Sequence, residues 1–154
     1  LELYKRGYDS PPTKIAIRFS SMELLTCERS VKINDPSSES GKVIMFKKSP
    51  IAGRYAWYGP YITLTPGNYV ANFRIKVDHL PDGKAIRLDV WSNFLGLRIA
   101  SYDIYGRDFS KPFTWHTFSI PFNITERTAD VEFRGLEAAS DLTIWLDYVE
   151  VVPE

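Results

Sequence analysis

Cysteine occurs once and histidine twice in the 154 residues, and glutamine is missing altogether. A single thiol forbids an internal disulfide framework and any zinc site built on several cysteines. No apolar run approaches the roughly 18–20 residues of a membrane-spanning helix, so direct membrane insertion of this segment is not expected. Charge of one sign is missing too: 19 Lys and Arg stand against 19 Asp and Glu, for a formal net charge of zero. Sequence-blind nucleic-acid binders and anionic-membrane binders depend on surplus cations, so neither partner is expected. No nucleophile elbow, phosphate-cradling loop or dinucleotide fingerprint is present. The absence of glutamine beside one Cys and two Met matches the depletion of thermolabile side chains in thermophile proteins.

What is present is an ordinary folding composition, 44% hydrophobic and 25% charged, in a length that suits one core. The chain opens Leu1-Glu2-Leu3-Tyr4, with no initiator Met and no charged-then-apolar leader. This is expected of a piece of a longer protein or a processed chain. Pro11-Pro12 stiffens the stretch Gly7 to Thr13, which reads as an extended linker. The expected organisation is therefore a linker or N-terminal extension over residues 1–13 and one domain over 14–153.

Strand periodicity dominates that domain. In Asn68 to Val77, the residues Tyr69, Ala71, Phe73, Ile75 and Val77 share one face, while Asn72, Arg74 and Lys76 take the other. The alternation recurs in Ala85 to Trp91, Trp115 to Phe122 and Ala129 to Arg134. Leu142 to Val152 is apolar on both phases, as a central strand covered on both faces would be. Shorter strands are expected at Lys14 to Phe19, Met22 to Cys27, Lys42 to Lys47, Tyr61 to Leu64 and Leu97 to Ile104. Turn chemistry separates them, as in Asn34-Asp35-Pro36, Gly59-Pro60 and Pro81-Asp82-Gly83. Ser21 to Arg29 has room for two helical turns at most. About ten short strands predict an all-β, antiparallel two-sheet sandwich.

Three pieces in order are suggestive: Thr65-Pro66-Gly67-Asn68-Tyr69 entering a strand, Trp115-His116-Thr117-Phe118, and the closing Ile144-Trp145-Leu146-Asp147-Tyr148-Val149. Together they resemble the galactose-binding-like β-jelly rolls, in particular carbohydrate-binding module families 6 and 35, over roughly Ser20 to Val152. The resemblance implies a jelly roll used as a non-catalytic accessory domain of a secreted or surface-anchored protein. Its partners would be an oligosaccharide or polysaccharide and the rest of the parent polypeptide, and its location extracytoplasmic. It also implies a structural Ca2+ held by Glu23 and Asp147, with Ser21 standing where the family carries a second glutamate. The other reading of Asp147 is an acceptor for backbone groups beneath a loop.

Sugar recognition needs aromatic faces for C–H surfaces and side-chain donors and acceptors for hydroxyls. Trp91, on the strand phase of Arg87 and Asp89, is a candidate platform or the lid over a crossing loop. Trp115 shares the phase of Thr117 and Ser119 and has the same two readings. Trp57 and Tyr58 precede a Gly-Pro turn, and Asn93 offers an amide just after Trp91. Arg87, with Arg74, Lys76 and Arg98, either forms a basic face suited to a uronate or is neutralised by neighbouring carboxylates. Trp145 is expected in the core and Cys27 as a buried thiol. His79 and His116 are not brought together by any motif. Carboxylate pairs such as Glu132 with Asp130, or Asp89 with Asp103, fit the spacing a glycosidase uses but read as solvated strand faces. Asn123-Ile124-Thr125 matches the glycosylation acceptor pattern. The competing functional reading is a structural or protein-interaction domain of a surface assembly or membrane glycosyltransferase.

Overall fold

The computed structural model describes residues 15–47 and 55–154, so the expected linker lies outside the described residues. The strands are β1 (Ile17–Ser20), β2 (Ser30–Asn34), β3 (Lys42–Phe46), β4 (Tyr55–Trp57), β5 (Pro60–Leu64), β6 (Gly67–Val77), β7 (Lys84–Ser92), β8 (Leu97–Tyr105), β9 (His116–Ile124), β10 (Thr128–Leu136) and β11 (Ile144–Pro153). Among the described residues the one helical element is a 3₁₀ turn at Gly106–Asp108. All pairings are antiparallel. One sheet runs β2-β3-β11-β6-β9 with β1 also on β11; the other runs β4-β10-β7-β8 with β5 also on β10. The fold is an all-β sandwich, as the alternation predicts.

The apolar phases meet between the sheets. Tyr69, Ala71, Phe73, Ile75 and Val77 of β6 are all buried. Phe133 of the second sheet stacks on Phe19 at 6.1 Å and tilts against Phe122 at 6.1 Å, so rings from both sheets interlock. Two expectations fail. Met22 to Cys27 forms turns with one isolated bridge, Leu25 to Tyr58, in place of a strand. Trp145 is half-buried on the outer side of β11, where the Lys76 ammonium lies 5.0 Å from its ring centre and Phe113 packs at 5.9 Å.

Two irregularities shape the surface. At β11, the register with β6 passes from Leu146–Ile75 to Tyr148–Arg74, leaving Asp147 as an extra residue. At β10, β4 pairs with Gly135 and Leu136, while β5 pairs with Thr128, Val131 and Glu132 along the same edge. Between β4 and β5 the chain kinks. Gly59 has φ 83°, its bond to Pro60 is cis, and Tyr61 sits at φ 69°. The Phe133 N–H donates to the Gly59 carbonyl at 2.8 Å and fixes the kink against β10.

Candidate functional site

That kink opens a pocket of about 300 Å³ lined by Cys27, Tyr55, Tyr58, Tyr61, Glu132 and Arg134. β10 supplies the charged floor, because Glu132 and Arg134 share its outward phase, about 7 Å apart along the strand. The broken edge supplies the phenols: Tyr55 from β4, Tyr58 from the kink and Tyr61 from β5. Tyr61 occupies the left-handed region that side chains with a Cβ rarely adopt, a local strain of the kind concentrated at ligand sites.

The floor is held rigidly. Arg134 donates from Nε to Asp89 Oδ1 at 2.9 Å and from Nη2 to Oδ2 at 2.6 Å. Arg98 Nε also donates to Asp89 Oδ2, at 3.0 Å. Asp89 has no exposure at all. The remaining Arg134 nitrogen, Nη1, points towards the Tyr55 hydroxyl at 3.4 Å. The same guanidinium lies 4.6 Å from the Trp91 ring centre and 5.2 Å from that of Tyr55. Glu132 accepts from the Gly59 N–H at 3.2 Å and from the Tyr61 hydroxyl. Burial raises its carboxyl above the ordinary value, and burial beside this carboxylate likewise raises the Tyr61 phenol. The site therefore offers π-faces, one oriented guanidinium edge and one carboxylate acceptor.

The candidates named from sequence are scattered by the fold. Tyr58 lines the pocket and Trp91 borders it through Arg134. Trp57 is wholly buried, its ring packed against Gly135, so it presents no face to a ligand. Asn93 lies exposed in the β7–β8 turn and is not part of the pocket lining. Trp115 stands on the other sheet, where its Nε1 donates to Ser37 at 3.1 Å and Lys76 lies over its ring at 4.6 Å. The basic face does not form. Arg74 and Lys76 belong to one sheet and pair with Glu39 and Asp35, both at 2.8 Å. Arg87 and Arg98 belong to the other; Arg87 binds Asp103 at 2.7 Å and Glu137 at 2.8 Å, and Arg98 binds Asp89. Cys27 is half-buried at the pocket wall.

The residues named for calcium do not fit the ion. The Asp147 carboxylate accepts the N–H of Glu39 at 2.8 Å, the N–H of Ser40 at 3.1 Å and the Ser40 hydroxyl, tying down the 35–41 loop. Glu23 turns back onto the Ser20 N–H and hydroxyl at 2.8 and 2.6 Å. Ser21 donates to the Lys42 carbonyl at 3.0 Å. Ca2+ wants six to eight oxygens, several of them carboxylate. Among the described residues no three His, Cys, Asp or Glu side chains gather to hold a metal.

Tyr55, Tyr61, Glu132 and Arg134 carry no motif. The kink resets the strand phase between the tyrosines, and polar residues on β10 look the same whether water or a pocket faces them.

No protein family matches the sequence, and no curated protein is similar to it. Solved structures are similar in fold. A family 35 carbohydrate-binding module from Clostridium thermocellum superposes with TM-score 0.66 at 16% identity, over 91% of this chain and 99% of that one. The C-terminal family 6 module of LamC, a marine laminarinase from Zobellia galactanivorans, gives TM-score 0.62 at 14% identity, over 90% and 99%. The family 6 module CBM6cm-2 of Cellvibrio mixtus lichenase 5A, solved with cellotriose, gives 0.61 at 10%, over 90% and 97%. The chain has the jelly-roll fold of the family 6 and family 35 carbohydrate-binding modules.

Proposed function

We propose that this domain binds saccharide without catalysis, holding a sugar in the tyrosine-lined pocket with Trp91 as flanking surface. The observation that carries this reading is three tyrosines gathered around an oriented arginine edge and a carboxylate in one open pocket. Phenol rings cover the C–H faces of a sugar at low entropic cost, Arg134 Nη1 donates to a hydroxyl, and Glu132 accepts from one. The shared fold with carbohydrate-binding modules supports it. Glycosidase chemistry needs two carboxylates flanking the bond; among the described residues Glu132 is the one carboxylate lining this pocket, and Asp89 lies beneath Arg134. The role fits an extracytoplasmic accessory domain acting beside the rest of a longer polypeptide.

The test is calorimetric binding of neutral oligosaccharides to the isolated domain, following a glycan-array screen. Tyr58→Ala and Tyr61→Ala are expected to weaken binding by about tenfold each, the scale of a lost aromatic contact. Trp115→Ala, on the opposite sheet, leaves it unchanged. No binding to any saccharide, or equal binding by the tyrosine variants, refutes the reading.

A second reading, docking onto a protein neighbour, is favoured by the β7–β8 hairpin. There Phe94, Leu95 and Leu97 are 66%, 48% and 46% exposed, an apolar tip such as interaction surfaces carry. Domains that self-associate in solution and bind no glycan would favour it.

A further inference from the structure

Resting on the saccharide reading, we propose that Asp89 and Glu132 make this a pocket for neutral sugars and exclude uronates. A buried arginine in a sugar site is ordinarily the feature that captures a carboxylate, through two parallel N–H···O bonds. Here the Nε/Nη2 fork is already filled, because Asp89 takes both nitrogens of Arg134 at 2.9 and 2.6 Å, and the outer Nη edge is what faces Tyr55 and the pocket. A guanidinium whose charge is already met by a buried carboxylate donates well to a hydroxyl oxygen and gains less from a second carboxylate.

The charge count points the same way. Arg134 and Arg98 share Asp89, and Glu132 stands beside Arg134 in the pocket, so the two cations of this group face two carboxylates. The next group along the sheet is closed within itself: Arg87 and Lys84 bind Asp103 and Glu137 at 2.7 to 2.8 Å. Among the described residues, the cations of these two groups are matched by carboxylates, and the carboxylate that lines the pocket beside an incoming acidic group is Glu132. Asp89 has no exposed surface and lies under the guanidinium. It acts on the ligand through Arg134 and is a positioning residue. Glu132 meets the ligand directly.

The experiment compares sugars that differ only at C6: methyl glucoside with methyl glucuronide, and methyl galactoside with methyl galacturonide. Calorimetry on the wild-type domain is expected to show the neutral member of a bound pair preferred. Asp89→Asn releases one branch of the Arg134 fork and removes a negative charge from beneath it. The neutral-to-acidic affinity ratio should then move towards the uronide by about tenfold, the effect of one unit charge several ångströms away in a partly solvated site. Glu132→Gln keeps the Asp89 clamp intact and shifts the ratio in the same direction, so the test stands if Asp89→Asn fails to fold. A purely structural role for either residue would lower both affinities together and leave the ratio where it was; that result overturns the proposal. Wild-type binding of uronide and glycoside with equal affinity overturns it as well, while leaving the saccharide reading intact. Failure of every neutral and acidic sugar to bind defeats that underlying reading instead.

Discussion

Gly135→Ala adds one methyl group where β10 has no room for it. Gly135 pairs with Trp57 of β4, and a Cβ there would lie 2.5, 2.6 and 2.7 Å from Cζ2, Cε2 and Cη2 of the indole. Carbon atoms in contact settle at about 3.5–4.0 Å, so the ring or the strand must give by about 1 Å. Trp57 has little freedom to do so, being wholly buried and among the bulkiest side chains of the core. Overpacking of this kind costs about 1–3 kcal/mol, and three ring atoms in simultaneous overlap place the loss near the upper end, at about 3 kcal/mol. In a chain of 154 residues each kcal/mol lowers Tm by about 2–4 °C, so a fall of about 6–12 °C is expected by calorimetry. Urea midpoints should agree. The control is a double-mutant cycle with Trp57→Phe, which deletes the outer ring. That change also removes Nε1, the buried side-chain polar atom without a partner among the described residues. In that background Gly135→Ala should cost about 2 kcal/mol less. Tyr58 follows Trp57 directly, so displacement of the indole also disturbs the pocket wall, and saccharide affinity should fall with Tm. A Tm within about 2 °C of wild type, or an equal cost in both backgrounds, would refute the close approach.

Asp147→Asn replaces half of an acceptor-only group with an amide donor facing the Glu39 and Ser40 N–H groups. A loss of about 1–3 kcal/mol is expected, with faster hydrogen exchange at those two amides; unchanged exchange would count against Asp147 as the anchor of the loop. For Glu132, burial raises the folded-state carboxyl above its ordinary value of 4.5. The folded chain thus holds this proton more tightly than the unfolded chain, and the contribution favouring the fold is lost as pH rises from 4.5 through the raised value. Glu132→Gln should therefore gain stability relative to wild type as pH increases across that window, read from urea midpoints. A constant difference between the two proteins would contradict the burial effect.

Much of the sandwich was legible because its long strands bury one phase. The run from Tyr69 to Val77 announces its face residue by residue, and all five inward positions are buried. β2 and β4 were not anticipated. β4 is only Tyr55–Trp57, too short for a period to show. The site was harder for a different reason. Trp57 and Tyr58 are neighbours in sequence, but the kink sends one into the core and the other into the pocket. Glu132 and Arg134 sit on a phase that reads as solvated, and nothing local says that β4 and β5 will wall it in. Of the two readings of Asp147, the loop acceptor is the one the fold adopts. Its donors, Glu39 and Ser40, lie more than a hundred positions away in the chain, beyond any local pattern.

The position of β11 has a consequence in time. Of the described strands it is the last to leave a ribosome, yet it lies between β3 and β6 at the middle of its sheet. Until residues 144–153 are available, β2-β3 and β6-β9 are separate halves, each with an unpaired edge where β11 belongs. Raw edges of that kind invite pairing with other chains. Assembly cannot follow the order of synthesis, because the keystone arrives after the stones it holds. A ribosome stalled before Ile144 would display an open, association-prone intermediate, and release of the final strand would close it in a single step.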